Sequence, residues 1–384
     1  MLYLCTVKKY YQPDFNIGVL GGGQLGRMLI QEGINWNLSI HCLDPDPNAP
    51  CKDLATSFTL GDLKDKDTVV AFGEDKDVIT IEIEHVSIEG LEVLEQKGKK
   101  VFPSSQVLKT IQDKGLQKEF YHSNGIPTSP FRLLNTGKDL QESDLPCVLK
   151  MRKGGYDGKG VKVVKALSDI TSDFDVPCIQ EDLVNFEREI SVIVARNESG
   201  DIKSFPVVDM DFNDEANLVE FLFSPSELDQ PIREKARVIA EEVAEKMNLV
   251  GILAVEMFLT HSGEILVNEA APRPHNSGHQ TIEGNFTSQY QQLLRALLNI
   301  DLGNTDITLP SVMVNILGEN GYEGDAVYDG LNDLLATPGT FVHLYGKKTT
   351  KSFRKMGHFT VLHPELDKAK ALAKELKDKL KVIA

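Results

Sequence analysis

The alternation of strand and helix signals over the first hundred residues constrains the fold more than any other feature. An apolar run at 16–20 ends in a glycine-rich stretch at 21–26, and a helical pattern follows over 25–33. Further strand signals lie at 38–44 and 78–84. Parallel strands need long crossover connections, usually helices, so this order is typical of a parallel sheet covered by helices. The sequence therefore predicts an α/β fold at the beginning of the chain.

The later sequence predicts a small strand-rich unit and two amphipathic helices. Short strands separated by a glycine-rich run follow a first helix, which favours a subdomain on a larger body. The predicted helices lie at 109–123, 232–247 and 364–383, and the predicted strands at 146–150, 161–164, 178–181 and 189–195.

Composition limits the class of protein and its partners. The 384 residues, 41% of them hydrophobic, suit two or three globular domains. A formal net charge of −16 predicts no nucleic-acid partner and no anionic membrane partner, because the overall field repels both. No apolar run reaches the ~18 residues of a membrane span, and residues 1–15 do not form a signal peptide, so a cytoplasmic location is expected. Five widely spaced cysteines without a C-x-x-C pair predict free thiols.

The first glycine cluster fits a nucleotide turn but is not specific for one. Gly21, Gly23 and Gly26 satisfy G-x-G-x-x-G between a strand and a helix. Asp44 stands close to where a dinucleotide site places its ribose-binding acid. Three interpretations stay open: a turn that only packs the strand on its helix, an NAD site, and a site for another small substrate.

The second glycine cluster, at 153–160, is more informative. Its four glycines lie between two predicted strands, where loop amides can close over phosphates. Lys150 ends the preceding strand and could reach a phosphate oxygen, while Tyr156 and Asp157 add more than a plain turn needs. The loop lacks the G-x-x-x-x-G-K-[ST] pattern, so it is not a P-loop.

A pair of carboxylates indicates a metal site. Two apolar strands flank Ser262 and Gly263, and a two-residue turn there would place Glu256 opposite Glu269, with Asn268 adjacent. Two like charges among apolar neighbours are costly unless cations lie between them, and oxygen ligands suit magnesium with nucleotide phosphates. A salt-bridged structural pair is the alternative.

Two polar segments follow that could complete the site. A proline-stiffened loop at 270–279 projects Arg273, His275, Asn276 and His279. Basic residues at 347–348 and 354–355 contrast with the acidic chain and predict a pocket for a phosphorylated substrate. The residues alone thus describe an ATP-dependent enzyme that activates a small acid by phosphoryl transfer for capture by an amine. The signatures of protein kinases are absent from the sequence.

Taken together, these motifs resemble the ATP-grasp superfamily and, within it, the 5-(carboxyamino)imidazole ribonucleotide synthase family of purine biosynthesis. The resemblance runs from about residue 16 to the C-terminal helix. It rests on GGGQLGRM at 21–28, GGYDGKG at 154–160, VEMF at 255–258, NEAAPRPHNSGH at 268–279, and the later YGK and RKMGH.

The resemblance implies an ATP-grasp fold of class α/β with an α+β lid, an N-terminal Rossmann-like pre-ATP-grasp domain and a small C-terminal domain. The nucleotide would lie between the lid and the C-terminal part. The expected bounds are 1–15 for an N-terminal extension, 16–108 for the pre-ATP-grasp domain, 109–189 for the lid, 190–300 for the catalytic core and 301–384 for the C-terminal domain.

Family members carboxylate 5-aminoimidazole ribonucleotide with ATP, Mg²⁺ and bicarbonate through carboxyphosphate, typically as homodimers. Carried over by motif, Glu256 and Glu269 would bind magnesium, and Asp157, Arg273 and His275 would surround the reacting groups. The implied ATP-binding residues are Lys114, Lys150, Gly155, Tyr156, Asp157, Gly158, Lys159, Gly160, Val161, Glu181, Asp182, Leu183, Val184, Glu189, Asn268 and Glu269. The implied ribonucleotide-binding residues are Gln24, Leu25, Glu82, Tyr156, Asn276, Lys347, Arg354 and Lys355.

Two positions depart from the family pattern. Lys114 stands where members usually have arginine, which keeps the charge but loses bidentate geometry. Phe212 is the nearest match to a histidine that contacts the nucleotide in some members. The rival interpretations are a formate-dependent glycinamide ribonucleotide transformylase, an NAD-dependent dehydrogenase and a non-catalytic nucleotide-binding regulator.

Overall fold

The computed structural model describes residues 9–155, 160–213 and 218–384, and its first unit is a five-stranded parallel sheet. The strands are β1 (Asn16–Leu20), β2 (Ser39–Asp44), β3 (Ser57–Leu60), β4 (Val78–Ile81) and β5 (Lys100–Val101), and the helices are α1 (Gln24–Ile34), α2 (Lys66–Gly73) and α3 (Ile88–Gln96). The order β3-β2-β1-β4-β5 with parallel neighbours confirms the predicted α/β unit. The third predicted strand is shorter than expected and ends at Ile81.

Two short helices replace the single helix predicted at 109–123. They are α4 (Ser105–Ile111) and α5 (Lys114–Ser123). The prediction of one continuous helix was wrong because Asp113 is extended and its carboxylate accepts hydrogen bonds from the amides of Gly115 and Leu116, which starts a new helix. Residues of α4 and α5 pack in the same apolar cluster as the central sheet described below.

The strand-rich unit is a four-stranded antiparallel sheet with its own core. Its strands are β6 (Phe131–Leu134), β7 (Cys147–Met151), β8 (Val161–Val164) and β9 (Cys178–Asp182), in the order β6-β9-β7-β8. Seven buried side chains form its core: Leu134, Leu140, Cys147, Leu149, Val164, Phe174 and Cys178. We call this unit the lid; it corresponds to the predicted subdomain.

A nine-stranded sheet forms the centre of the molecule and continues into the C-terminal part. Its central strands are β10 (Phe186–Arg196), β11 (Ile202–Ser204), β12 (Val208–Asn213), β13 (Leu218–Ser224), β14 (Gly251–Thr260) and β15 (Ile265–Ala271). The accompanying helices are α6 (Gln230–Lys246), α7 (Thr281–Gly284) and α8 (Gln289–Leu297). Strand β10 pairs with both β12 and β14, which places it at the middle of this half of the sheet.

The C-terminal part extends the same sheet. It contains β16 (Ser311–Leu317), β17 (Gly324–Asp325), β18 (Val327–Asp329), α9 (Leu331–Ala336), β19 (Thr340–Leu344), β20 (Thr349–Thr350), β21 (Lys355–Leu362), α10 (Leu366–Lys379) and β22 (Lys381–Ile383). Pairing of β13 with β16 joins the two halves in the order β15-β14-β10-β12-β13-β16-β21-β19. The predicted closing helix is shorter than expected, because its last residues form β22 and pair with β18.

The described parts of the chain include no helix that is both long and apolar enough to cross a bilayer. The four cysteines in these parts are buried free thiols, as predicted, and Cys5 lies outside them.

Candidate functional site

The glycine-rich turn at 21–26 is held by the chain's own carboxylates. The Gly22 amide donates to Asp44 Oδ2 at 2.6 Å, and the Gly23 amide donates to Glu82 Oε2 at 2.7 Å. Glu82 Oε1 also accepts from the Leu25 amide at 3.3 Å. Since these amides already have anionic partners, the turn is closed to a dinucleotide phosphate and instead fixes the beginning of α1, where Gln24 and Leu25 lie. This geometry argues against the NAD interpretation.

The hairpin of β14 and β15 pairs Glu256 with Glu269, as predicted. The turn nevertheless contains three residues instead of the predicted two, because Thr260 and Glu264 pair across it. Gly263, the last residue of the turn, adopts a φ of +80°. A register shift beside Asn268 restores the predicted pairing further along the strands. The correct pairing therefore arose from two deviations that cancel, a longer turn and a bulge.

Lys114 compensates the charge of this pair only in part. It forms an ion pair with Glu269, and the attraction of Lys114 holds the pKa of Glu269 well below its usual range. Burial, together with the charges of Glu269 and Glu189, raises the pKa of Glu256. Burial by itself lowers the pKa of the Lys114 ammonium, but the attraction of Glu269 has the larger effect, so that the pKa is raised. Two carboxylates that are paired across a hairpin in a partly buried site repel each other, and this repulsion favours the binding of a cation.

Lys150 and Glu181 form an ion pair close to the Glu256–Glu269 pair. Lys150 Nζ is 2.9 Å from Glu181 Oε1 and donates to Asn268 Oδ1 at 2.9 Å. The other Glu181 oxygen is 2.9 Å from Lys118 Nζ. Lys150 thus reaches the hairpin residue next to Glu269 from the lid strand β7.

The segment 181–184, predicted to contact adenine, leads from the lid into the central sheet. Glu181 is buried, whereas Leu183 keeps 44% of its surface exposed. Glu189 lies beyond this segment on β10, paired with Phe258, and on the same side of the strand as Ser191, which pairs with Glu256. Burial raises the pKa of Glu189 to about 7. The structure therefore brings Glu189 to the same face as the carboxylate pair.

The loop after β15 connects the pair to the N-terminal unit. Arg273 Nε is 2.7 Å from Glu84 Oε1, just beyond β4. His275 Nε2 is 3.5 Å from Glu256 Oε1, and the Ser277 amide donates to His275 Nδ1 at 3.3 Å. Acceptance at Nδ1 assigns the ring proton to Nε2, the nitrogen that faces the carboxylate.

Asn276 is anchored from the far side of the same loop. It exchanges two amide hydrogen bonds of 2.8 Å with Asn315 on β16. These bonds fix the orientation of the buried Asn276 side chain against the C-terminal part of the sheet.

The basic cluster lines a cleft between the first unit and the C-terminal part. The cleft has a volume of about 440 Å³, and its lining contains acidic as well as basic side chains: Gly23, Asp44, Asp46, Asn48, Asp325, Lys347, Lys348 and Arg354 are among the lining residues. Arg354 donates to the carbonyl of Thr349 at 2.8 Å. Lys355 begins β21 nearby, and its charge acts on Glu256. The cleft thus brings the glycine-rich turn and the basic residues of the C-terminal part together.

Four predicted residues, Tyr156, Asp157, Gly158 and Lys159, lie outside the described residues. Of the same loop, Gly155 precedes the gap and Val161 begins β8. Gly160 adopts a φ of +72°, and its carbonyl accepts from the Met151 amide at 2.8 Å. Phe212 lies on β12 beside a small apolar cluster.

Sequence reasoning missed the partners that fix these side chains. Lys118, Glu84 and Asn315 were not selected, although each contacts a predicted site residue. Lys118 could have been found, because it lies one helical turn after Lys114 and therefore on the same face of α5. The other two are far apart in sequence from their partners and carried no local signal.

Comparison with known proteins shows that three domain-family models match successive parts of the chain. The ATP-grasp domain model matches residues 119–290, the ribonucleotide synthetase preATP-grasp domain model matches 15–112, and the phosphoribosylaminoimidazole carboxylase C-terminal domain model matches 311–372. The N5-carboxyaminoimidazole ribonucleotide synthase of Bacillus subtilis is 36% identical over 364 residues, which cover 92% of this chain and 93% of that protein.

Two crystal structures extend the likeness to the whole fold. The N5-carboxyaminoimidazole ribonucleotide synthetase of Thermotoga maritima is 40% identical with a TM-score of 0.87, covering 96% of this chain and 99% of that one. The Aspergillus clavatus N5-carboxyaminoimidazole synthase, in complex with ADP and 5-aminoimidazole ribonucleotide, is 32% identical with a TM-score of 0.87 and the same coverage, 96% and 99%. These matches do not favour the transformylase interpretation. The chain belongs to the N5-carboxyaminoimidazole ribonucleotide synthase family of ATP-grasp ligases.

Proposed function

We propose that this enzyme carboxylates the exocyclic amine of 5-aminoimidazole ribonucleotide, using ATP and bicarbonate and giving ADP, phosphate and 5-(carboxyamino)imidazole ribonucleotide. The observation that carries the proposal is the pairing of Glu256 with Glu269, next to an asparagine that is bound by the lid lysine Lys150. A separate cleft, which Lys347, Lys348 and Arg354 help to line, lies between the first unit and the C-terminal part. A site with both a nucleotide side and a phosphate-binding side suits an ATP-dependent reaction on a ribonucleotide.

The reaction proceeds in two balanced steps. A bicarbonate oxygen attacks the γ-phosphorus of ATP, so that ADP leaves and carboxyphosphate forms. The substrate amine then attacks the carboxyl carbon, phosphate leaves, and the amine loses a proton. Each step develops negative charge that fixed cationic donors stabilise.

Arg273 and His275 are proposed to surround the reacting groups together with Asp157. The Arg273 guanidinium, positioned by Glu84, suits stabilisation of the phosphorylated intermediate. His275 presents its Nε2 proton towards Glu256 and can donate it to an oxygen of the intermediate. Asp157 is proposed to orient or deprotonate the amine.

Magnesium is proposed for the site because Glu256 and Glu269, paired across the hairpin, offer carboxylate oxygens, the ligands that this ion prefers. Glu256 and Glu269 would hold the ion, which supplies charge neutralisation to the nucleotide phosphates.

The remaining roles follow the family pattern. Lys150, Lys114 and the loop Gly155–Val161 are proposed to hold ATP phosphates, residues 181–184 the adenine, and Glu189 the ribose hydroxyls. Lys347, Arg354 and Lys355 are proposed to bind the 5′-phosphate, with Gln24, Leu25, Glu82 and Asn276 on the imidazole-ribose side. A homodimer is proposed from the resemblance, and a cytoplasmic location from the sequence.

The test is ADP release from purified protein with magnesium-ATP, with and without 5-aminoimidazole ribonucleotide, in bicarbonate-supplied and bicarbonate-depleted buffer. Turnover that requires both substrates supports the proposal, and Glu269→Gln should abolish it. Turnover that is indifferent to the ribonucleotide, or that requires formate and glycinamide ribonucleotide, would contradict it.

A further inference from the structure

A buried ionic network lies behind Lys150 and joins three parts of the fold. Lys118 on α5 and Lys150 on β7 bind opposite oxygens of Glu181 on β9, each at 2.9 Å. Lys118 Nζ also donates to Ser129 Oγ at 2.9 Å and to Thr128 Oγ1 at 2.6 Å. Ser129 Oγ in turn donates to Glu181 Oε2 at 2.7 Å. Two of the partners of Lys118, Glu181 itself and Ser129, therefore belong to the Glu181 carboxylate and its hydrogen bonds, and the third is Thr128.

The network is anchored to the strand that carries the carboxylate pair. Thr128 Oγ1 donates to the Val267 carbonyl at 2.7 Å, and the Val267 amide donates to the Pro127 carbonyl at 2.8 Å. Val267 precedes Asn268, the second partner of Lys150. Lys118 thus ties the lid to β15 at the place where Lys150 crosses between them.

Burial makes this arrangement expensive for a residue without a functional role. The Lys118 side chain is 2% exposed and that of Glu181 3%, whereas Lys150 keeps 10%. Burial lowers the pKa of Lys118 to about 8 despite the opposing charge of Glu181. Replacing a buried ion pair by apolar residues is often neutral for stability, so stability alone gives little reason for this lysine.

We infer that Lys118 is a positioning residue: it shares the charge of Glu181 so that the Lys150 ammonium stays at Asn268, within reach of nucleotide phosphate. Without Lys118, Glu181 keeps Lys150 as its main counter-ion and draws the ammonium away from the hairpin. The inference rests on the proposed role of Lys150 in binding ATP, and it assigns to Lys118 no contact with either substrate.

The principal variant is Lys118→Met, which keeps the length of the side chain but removes its charge. We expect the KM for ATP to rise about tenfold, equivalent to one misplaced charge-assisted hydrogen bond, with the KM for the ribonucleotide unchanged within about twofold. ADP affinity measured by calorimetry should fall in parallel. Lys76→Met is the control, because Lys76 is also a buried lysine, with 6% of its side chain exposed, and is paired with the exposed Asp75 outside the site; it should leave both KM values unchanged.

A double-mutant cycle tests whether Lys118 acts through Glu181. If it does, the Lys118→Met/Glu181→Gln protein should bind ATP no more weakly than Glu181→Gln alone, within about twofold. Independent, multiplying effects would overturn the inference.

Two further outcomes are decisive. If Lys118→Met does not fold, Ser129→Ala removes a hydroxyl bound to both Lys118 and Glu181, and it should raise the KM for ATP about threefold. An unchanged KM for ATP in the folded variants, or equal changes in both KM values, would overturn the positioning role. Absence of ATP turnover in the wild-type protein would instead contradict the proposed function.

Discussion

Neutralising the two paired glutamates one at a time should change stability in opposite directions in the absence of nucleotide. Directly opposed strand residues have Cβ atoms roughly 5 Å apart. Two carboxylates about 6 Å apart repel by ~3 kcal/mol at an effective dielectric constant of about 20. Lys114 offsets part of this repulsion through Glu269. Glu256→Gln should therefore stabilise the protein by about 1–2 kcal/mol, since it removes the less compensated charge.

Glu269→Gln removes the same repulsion but also takes the partner from Lys114. The Lys114 side chain is only 20% exposed, so loss of its counter-charge costs about 3–5 kcal/mol. Against the ~3 kcal/mol of repulsion that is removed, this leaves a net destabilisation of about 1 kcal/mol. At ~2.1 cal/mol/K of unfolding entropy per residue, a gap of 2–3 kcal/mol corresponds to about 3 °C for 384 residues.

The difference in stability between the Glu256→Gln variant and the wild-type protein should also depend on pH. Burial, together with the charges of Glu269 and Glu189, raises the pKa of Glu256 in the folded state above its value in the unfolded chain. Protonated Glu256 therefore favours folding, and this contribution to stability is lost as the pH rises above the pKa of the unfolded state. Thermal unfolding of the nucleotide-free proteins, followed by circular dichroism in low salt at pH 5.5 and pH 8, should show the advantage of Glu256→Gln growing with pH.

Glu264→Gln is the matched control, because Glu264 is an exposed glutamate at the turn of the same hairpin. It should change stability by less than about 0.5 kcal/mol. Destabilisation by Glu256→Gln as large as that by Glu269→Gln would refute this account of the pair.

Three further outcomes are expected. Because burial raises the pKa of Glu189 to about 7, ADP affinity measured by calorimetry should weaken from pH 8 to pH 6, and Glu189→Gln should remove that dependence; an unaltered dependence would contradict the ribose role. Lys347→Ala and Arg354→Ala should each raise the KM for the ribonucleotide at least about tenfold with the KM for ATP within about twofold, and a larger effect on ATP would misplace the phosphate site. Asp113→Ala removes both the cap of α5 and a bidentate contact with Arg152 of 2.8 and 2.9 Å, so urea denaturation should show a loss of about 2–3 kcal/mol; a loss below about 0.5 kcal/mol would contradict this role.

The sequence predicted elements whose signals are local. The parallel strands at the beginning, strand β8 and the facing glutamates of the hairpin were all read from periodicity and spacing. The break at Asp113 was missed because a capping side chain interrupts an otherwise helical pattern. The strand at the C terminus was missed because its partner, β18, lies some fifty residues earlier.

The candidate site shows the same division. Lys150 and the carboxylate pair carried recognisable patterns, whereas their supporting partners come from distant segments. Glu82 and Glu84 follow one strand yet serve different neighbours, the glycine-rich turn and Arg273. These contacts cannot be read from the sequence, because they form only when the end of β4 comes close to the glycine-rich turn and to the loop after β15.

The origin of the phosphate oxygen tests the central claim most directly. The enzyme would be supplied with ATP, 5-aminoimidazole ribonucleotide and ¹⁸O-labelled bicarbonate, and the released phosphate would be examined by ³¹P NMR before the label exchanges with water. Formation of carboxyphosphate predicts transfer of one bicarbonate oxygen to each phosphate, seen as an isotope-shifted resonance. Phosphate that carries no label, released at the same rate as ADP, would contradict activation of bicarbonate by phosphoryl transfer.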